Sequence, residues 1–88
     1  AAKHAVHGLT RAAALELGAA GIRVNALAPG VTRTAMTSAV SDELLAAVPL
    51  GRMADPAEIA AAAVWLCSPQ ASYVTGAVLA ADGGWLAG

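Results

Sequence analysis

The chain has 88 residues, 58% of them hydrophobic and 12% charged, with five Lys and Arg against six Asp and Glu for a net charge of −1. It is too apolar for a disordered tail and long enough for one domain at most. Without a run of Lys or Arg there is no footprint for nucleic acid, and the longest apolar run, 59–67, falls far short of the roughly 20 residues that cross a bilayer.

Residues 1–19 carry a helical period. Ala2, Ala5, Val6, Leu9, Ala12, Ala13 and Leu17 share one arc, and Lys3, His4, His7, Thr10 and Arg11 occupy the other. Glu16 inside the apolar arc and Leu15 inside the polar one predict a helix that meets protein on more than one face, and Gly18 and Gly21 supply its stop. Residues 22–28, an apolar run interrupted by Arg23 and Asn25, predict a buried parallel strand ended by Pro29. The stretch from Val31 to Ala54 is mixed in composition and predicts a long functional loop with a short helix from a Ser41 cap to about Ala47.

Asp55-Pro56-Ala57-Glu58 combines an N-cap carboxylate, a proline at the first helical position and a glutamate three residues after the cap. A helix to about Cys67 follows; with no charge beyond Glu58 it is expected to be buried on more than one face. Val78 to Ala81 predict a short strand closed by the Asp82-Gly83-Gly84 turn. Helix, strand, loop, helix, strand is the second half of an α/β layer fold.

Open α/β sheets bind ligands outside the carboxyl ends of their strands, which places the candidate site at Pro29-Gly30 and the loop after it. Gly30 would let the backbone approach a ligand, and Thr32 and Thr34 can hydrogen-bond a planar amide; equally, Pro29-Gly30 is a turn with solvated threonines. Taken alone, Lys3 beside His7 and Arg11 is a solvated helix face. His4 and His7 lack further ligands at metal spacing, so no metal site is expected. Cys67, the only cysteine, cannot form an internal disulfide; it predicts a buried, inert thiol and a cytoplasmic location. Asn25 is expected to make structural hydrogen bonds, and Trp85 and Leu86 to cover a subunit contact.

Several segments, in order, resemble a known family. Ala1-Ala2-Lys3 before a helix, Arg23-Val24-Asn25-Ala26, Pro29-Gly30-Val31-Thr32-Arg33-Thr34, Gly51-Arg52, Asp55-Pro56-Ala57-Glu58-Ile59-Ala60, Trp65-Leu66, Tyr73-Val74-Thr75-Gly76 and Asp82-Gly83-Gly84 are similar to the carboxyl-terminal part of a short-chain dehydrogenase/reductase. The resemblance implies the carboxyl-terminal part of a Rossmann-like, doubly wound parallel sheet. It implies an oxidoreductase that moves hydride between NAD or NADP and a small carbonyl or alcohol substrate. Lys3 then matches the lysine of a Tyr-x-x-x-Lys motif, with a catalytic role and a second role on the nicotinamide ribose. An ammonium one helical turn from a phenol lowers its pKa from about 10, so that it can serve as general acid or base. Tyr73 matches a structural motif and takes no catalytic role.

The resemblance also implies that Pro29, Gly30, Val31, Thr32 and Thr34 hold the nicotinamide carboxamide, and that Met36, Val40, Leu44, Leu45 and Val48 belong to a substrate lid. An amphipathic helix covering the core accounts for those apolar lid residues as well. The glycine-rich fingerprint, the catalytic serine and the tyrosine would precede residue 1, so the chain is expected to be a fragment of a single NAD(P)-binding domain, inactive by itself. Its parent is expected to be a homo-oligomer, a dimer or tetramer, for which Ala62 and Ala63 are natural test positions. The alternative is a non-catalytic oligomerisation or binding module with the same fold.

Overall fold

The computed structural model describes residues 2–34 and 40–87. Its order is α1 (Ala2–Leu17), β1 (Ala26–Pro29), α2 (Asp42–Ala46), α3 (Pro56–Cys67) and β2 (Val78–Ala81), with short 3-10 turns at Gly18–Ala20, Pro69–Ala71 and Trp85–Ala87. β1 and β2 pair in parallel, Ala26 opposite Val78 and Pro29 opposite Ala81. Pro29, expected to end the ladder, is its last paired residue. Both α1 and α3 pack against β1.

The strand expected over 22–28 begins four residues late, because 23–25 are engaged by side chains instead of a ladder. The Asn25 amide donates to Val74 O at 3.0 Å, and its oxygen accepts from Ala77 N at 3.0 Å. Arg23 donates to Val74 O at 3.1 Å and to Ser68 O at 3.3 Å. Val24 N donates to the Thr75 hydroxyl at 3.1 Å and its carbonyl accepts from Gly76 N at 2.7 Å. These bonds fasten the approach to β1 onto the approach to β2 and satisfy backbone groups that the sheet does not reach. Ile22, expected in the buried strand, is about half exposed.

The helix starts behave as their local chemistry dictates. Ser41 caps α2 by accepting from Leu44 N at 3.2 Å. Asp55 and Glu58 form a complete capping box on α3, with Ala57 N donating to Asp55 Oδ1 and Asp55 N to Glu58 Oε1. The faces differ from expectation. On α1 Thr10 and Ala14 are buried and His7, Ala13 and Leu17 half-buried, so Ala13 and Leu17 of the predicted apolar arc face inward, whereas Val6 and Leu9 are 54% and 70% exposed. The small Ala14 meets Gly76, where an added Cβ would sit 3.4 Å away, and the buried Thr10 hydroxyl is satisfied by Val6 O at 2.7 Å.

On α3 only Leu66 is buried; Ala61, Val64 and Trp65 are exposed, and so is Cys67, contrary to the buried thiol expected. The positions suggested for testing assembly, Ala62 and Ala63, are half-buried on the inner side. The described core is correspondingly small: Ala14, Val48, Leu66 and Ala71. The accessible surface is 6112 Å², where a folded chain of this mass would expose roughly 4,700 Å². No helix among the described residues is long and apolar enough to cross a membrane.

Candidate functional site

The carboxyl ends of β1 and β2 open into a cavity of about 340 Å³. Its floor is β1 and the turn after it, Ala28 to Val31; Lys3 reaches it from the first turn of α1, and Leu44 and Val48 from α2 and the segment that follows. Asp82, Trp85 and Leu86 complete the lining. The fold thus brings together Lys3, Pro29, Gly30 and Val31, with two of the five lid residues. Lys3 is exposed and on the cavity's edge.

The other predicted residues lie elsewhere. The Thr32 hydroxyl donates to Gly30 O at 3.0 Å, and Thr32 pairs with Ala54 in an isolated parallel bridge. Ala54 N donates to Val31 O at 2.8 Å and Arg33 N to Ala54 O at 2.9 Å, so the long loop is closed at its base. Thr34 is exposed beyond that bridge. Neither threonine lines the cavity, nor do the half-buried Val40 and Leu45. Met36 lies outside the described residues.

Gly30 has a structural reason that differs from the one expected. A Cβ on it would lie 2.8 Å from Asp82 Cα and 2.9 Å from Asp82 Cβ, so the side-chain space it leaves is taken by the residue that follows the neighbouring strand. Gly30 N donates to Ala81 O at 3.1 Å across that approach. Asp82, expected only in a turn, also lines the cavity. Its carboxylate accepts from Gly84 N at 3.0 Å and Leu86 N at 3.1 Å, fixing the last turn so that Trp85 and Leu86 reach the cavity. Trp85, expected at a subunit contact, lines the cavity and is 43% exposed. The Asp82-Gly83-Gly84 run directly after a strand was the available signal.

Tyr73 is fully exposed and borders a separate cavity of about 660 Å³ with Gly18, Gly21 and Arg23, where the chain enters the two strands. It shares no lining with Lys3. Among the described residues no group of three His, Cys, Asp or Glu could hold a metal ion. Two ion pairs flank the start of α3: Arg33 with Asp55 at 3.7 Å, and Arg52 with Glu58 in a forked contact at 2.7 and 2.9 Å. The hydrogen bond from Arg52 holds the Glu58 carboxyl down to about 2, and the Asp55 amide adds to the effect.

The family model described as enoyl-(acyl carrier protein) reductase matches residues 1–86. The chain belongs to the short-chain dehydrogenase/reductase family. Among its relatives, a galactitol 2-dehydrogenase (L-tagatose-forming) from Cereibacter sphaeroides is 56% identical, over 97% of this chain and 36% of that protein. An A-factor type gamma-butyrolactone 1′-reductase (1S-forming) from Streptomyces virginiae is 54% identical, over 94% of this chain and 35% of that protein. A structure from Agrobacterium tumefaciens, solved with bound NADP as a candidate 2-deoxy-d-gluconate 3-dehydrogenase, superposes with a TM-score of 0.92 at 47% identity. That match covers 99% of this chain and 38% of the other. This short-chain dehydrogenase/reductase chain spans about a third of the length of the curated relatives it matches.

Proposed function

We propose that this chain is the carboxyl-terminal part of an NAD- or NADP-dependent oxidoreductase that moves hydride between the cofactor and a small carbonyl or alcohol. The observation that carries the reading is the single cavity edge where Lys3 meets the Pro29-Gly30-Val31 turn at the carboxyl end of the sheet. The donor set suits a nicotinamide nucleoside. An ammonium can bond ribose hydroxyls, and the turn offers main-chain polar groups to a planar amide. When bound, the dinucleotide supplies or takes up the hydride; the chain's part is to hold and orient it and to shape the space beside it.

Lys3 sits in the first turn of α1, where a tyrosine four positions earlier would share its face. Its positive charge favours the phenolate and lowers the cost of passing a proton to or from the substrate oxygen. Val31, Leu44 and Val48 give the cavity an apolar side, which excludes water from the reacting carbon. Thr32 supports the turn from behind: its hydroxyl bonds Gly30 O, and it pairs with Ala54, whose N donates to Val31 O. The exposed Val64 and Trp65 of α3, and Val6 and Leu9 of α1, are the surface that the rest of the parent domain and a second copy would cover. The parent is accordingly a homo-oligomer.

The test is cofactor binding and turnover in the full-length protein. Lys3→Ala removes an exposed side chain, so the fold should be kept, while NADH or NADPH binds about tenfold or more weakly and turnover falls with it. Unchanged affinity and rate would remove Lys3 from the chemistry. A full-length protein that binds neither dinucleotide supports the non-catalytic module.

A further inference from the structure

The cavity that receives Lys3 shares Val31, Val48, Asp82 and Leu86 with a second, larger cavity of about 730 Å³. Val48 is the one buried member of that shared wall, at 4% exposure. Its placement comes from the turn that follows it. Val48 Cγ1 occupies the space beside Gly83, where a Cβ would lie 2.7 Å away, and Leu50 N donates to Gly83 O at 3.0 Å. Gly51 N closes the turn onto Val48 O at 2.8 Å, with Gly51 at φ +72°.

The next residue is Arg52, and it is anchored on α3. Its two terminal nitrogens bond the two Glu58 oxygens at 2.7 and 2.9 Å, and Nη1 also donates to Met53 O at 3.2 Å. In a capping box the glutamate needs only to accept the N-cap amide. Here Glu58 Oε1 does that for Asp55 N at 2.9 Å, yet both oxygens also hold Arg52. One carboxylate therefore joins the start of α3 to the chain arriving from Val48. A forked guanidinium contact fixes orientation as well as distance, which a cap alone does not require.

We infer that Arg52 and Glu58 are positioning residues: their forked pair pins the 48–52 turn to α3 and so holds Val48 as the partition that limits the Lys3 cavity to small ligands. The identity of that ligand rests on the oxidoreductase reading; the placement of Val48 does not. Loosening the pair lets Val48 withdraw, joins the two cavities, and shifts preference from small to bulky carbonyl compounds.

The experiment uses the full-length protein and two conservative variants. Glu58→Gln keeps an oxygen for the Asp55 amide and loses the charge; Arg52→Lys keeps the charge and loses the fork. Amide exchange by mass spectrometry should rise about tenfold or more for the Leu50–Gly51 segment in both variants, with the β1 and β2 segments unchanged. In ligand-observed NMR with NADP present, the affinity ratio of a 3-oxosteroid to cyclohexanone should rise about tenfold or more in Glu58→Gln, and by less in Arg52→Lys. A merely structural role predicts faster exchange throughout α3 and both strands with the ratio unmoved, and that result overturns the proposal. So does unchanged exchange at Leu50–Gly51, or the absence of binding by either ketone. If the protein binds neither NADH nor NADPH, the oxidoreductase reading fails by itself; exchange and ketone affinities, measured then without dinucleotide, still decide the partition.

Discussion

Gly30→Ala tests a close backbone approach, the point where the turn after β1 passes the end of β2. The new methyl carbon would sit 2.8 Å from Asp82 Cα, about 0.6 Å short of ordinary contact at 3.4 Å, and 3.2 Å from Asp82 O. The obstructing atoms are mainly backbone, so no flexible side chain can swing away. Overpacking of this kind costs about 1–3 kcal/mol. Displacing Asp82 also disturbs its bonds to Gly84 N and Leu86 N, at about 1 kcal/mol for each one lost. The expected destabilisation is about 2–4 kcal/mol, measured by urea unfolding of the full-length protein followed by circular dichroism. Gly8→Ala is the matched control. Gly8 is within α1 and a Cβ there meets nothing within 4 Å, so the change should stabilise by about 0.5–1 kcal/mol. If Gly30→Ala unfolds within about 0.5 kcal/mol of wild type while the control behaves as stated, the close-approach argument is wrong.

Asn25→Ala removes both Asn25 side-chain bonds between the two strand approaches, leaving Ala77 N short of an acceptor and Val74 O with Arg23 as its remaining donor; a loss of about 1–3 kcal/mol in the same unfolding assay is expected. Ser41→Ala removes the side-chain cap of α2 and should cost about 0.5–2 kcal/mol, read most directly as faster amide exchange at Leu44. Acid titration should expose Glu58. Its folded pKa is depressed, so its contribution is complete above the ordinary value of 4.5 and is lost as pH falls from there through about 2. Glu58→Gln should flatten the pH dependence of stability in that window, and an identical slope in both proteins would place the effect elsewhere.

The features legible in the sequence are those whose cause lies within a few residues. Asp55-Pro56-Ala57-Glu58 closes its capping box without help from the rest of the chain, Ser41 caps α2 in the same way, and β2 runs from Val78 to Ala81 as its apolar run and following turn require. The candidate location at the end of β1 came from the rule that open α/β sheets bind ligands in the crevice outside the carboxyl ends of their strands, and a cavity lies there. Its composition was less legible. Lys3, Gly30 and Val31 converge as expected, whereas Thr32 and Thr34 fall behind the turn and Asp82 and Trp85 enter the lining. The threonine spacing was the same for a side chain facing the cavity and one facing Gly30 O, so only the bridge to Ala54 chose between them.

By itself the sequence determined where the helices start and stop, that the strands run parallel in an α/β layer, and which family the chain joins. The tertiary structure alone decided which side of α1 is buried, what Gly30 makes room for, and that Arg23 and Asn25 spend their side chains on Ser68, Val74 and Ala77. A cap or a turn is closed by neighbours in sequence and carries its reason locally. A helix face, a glycine's clearance and a bond across some fifty residues depend on which surface arrives opposite, and a periodic pattern of apolar residues supplies a face without saying what will cover it.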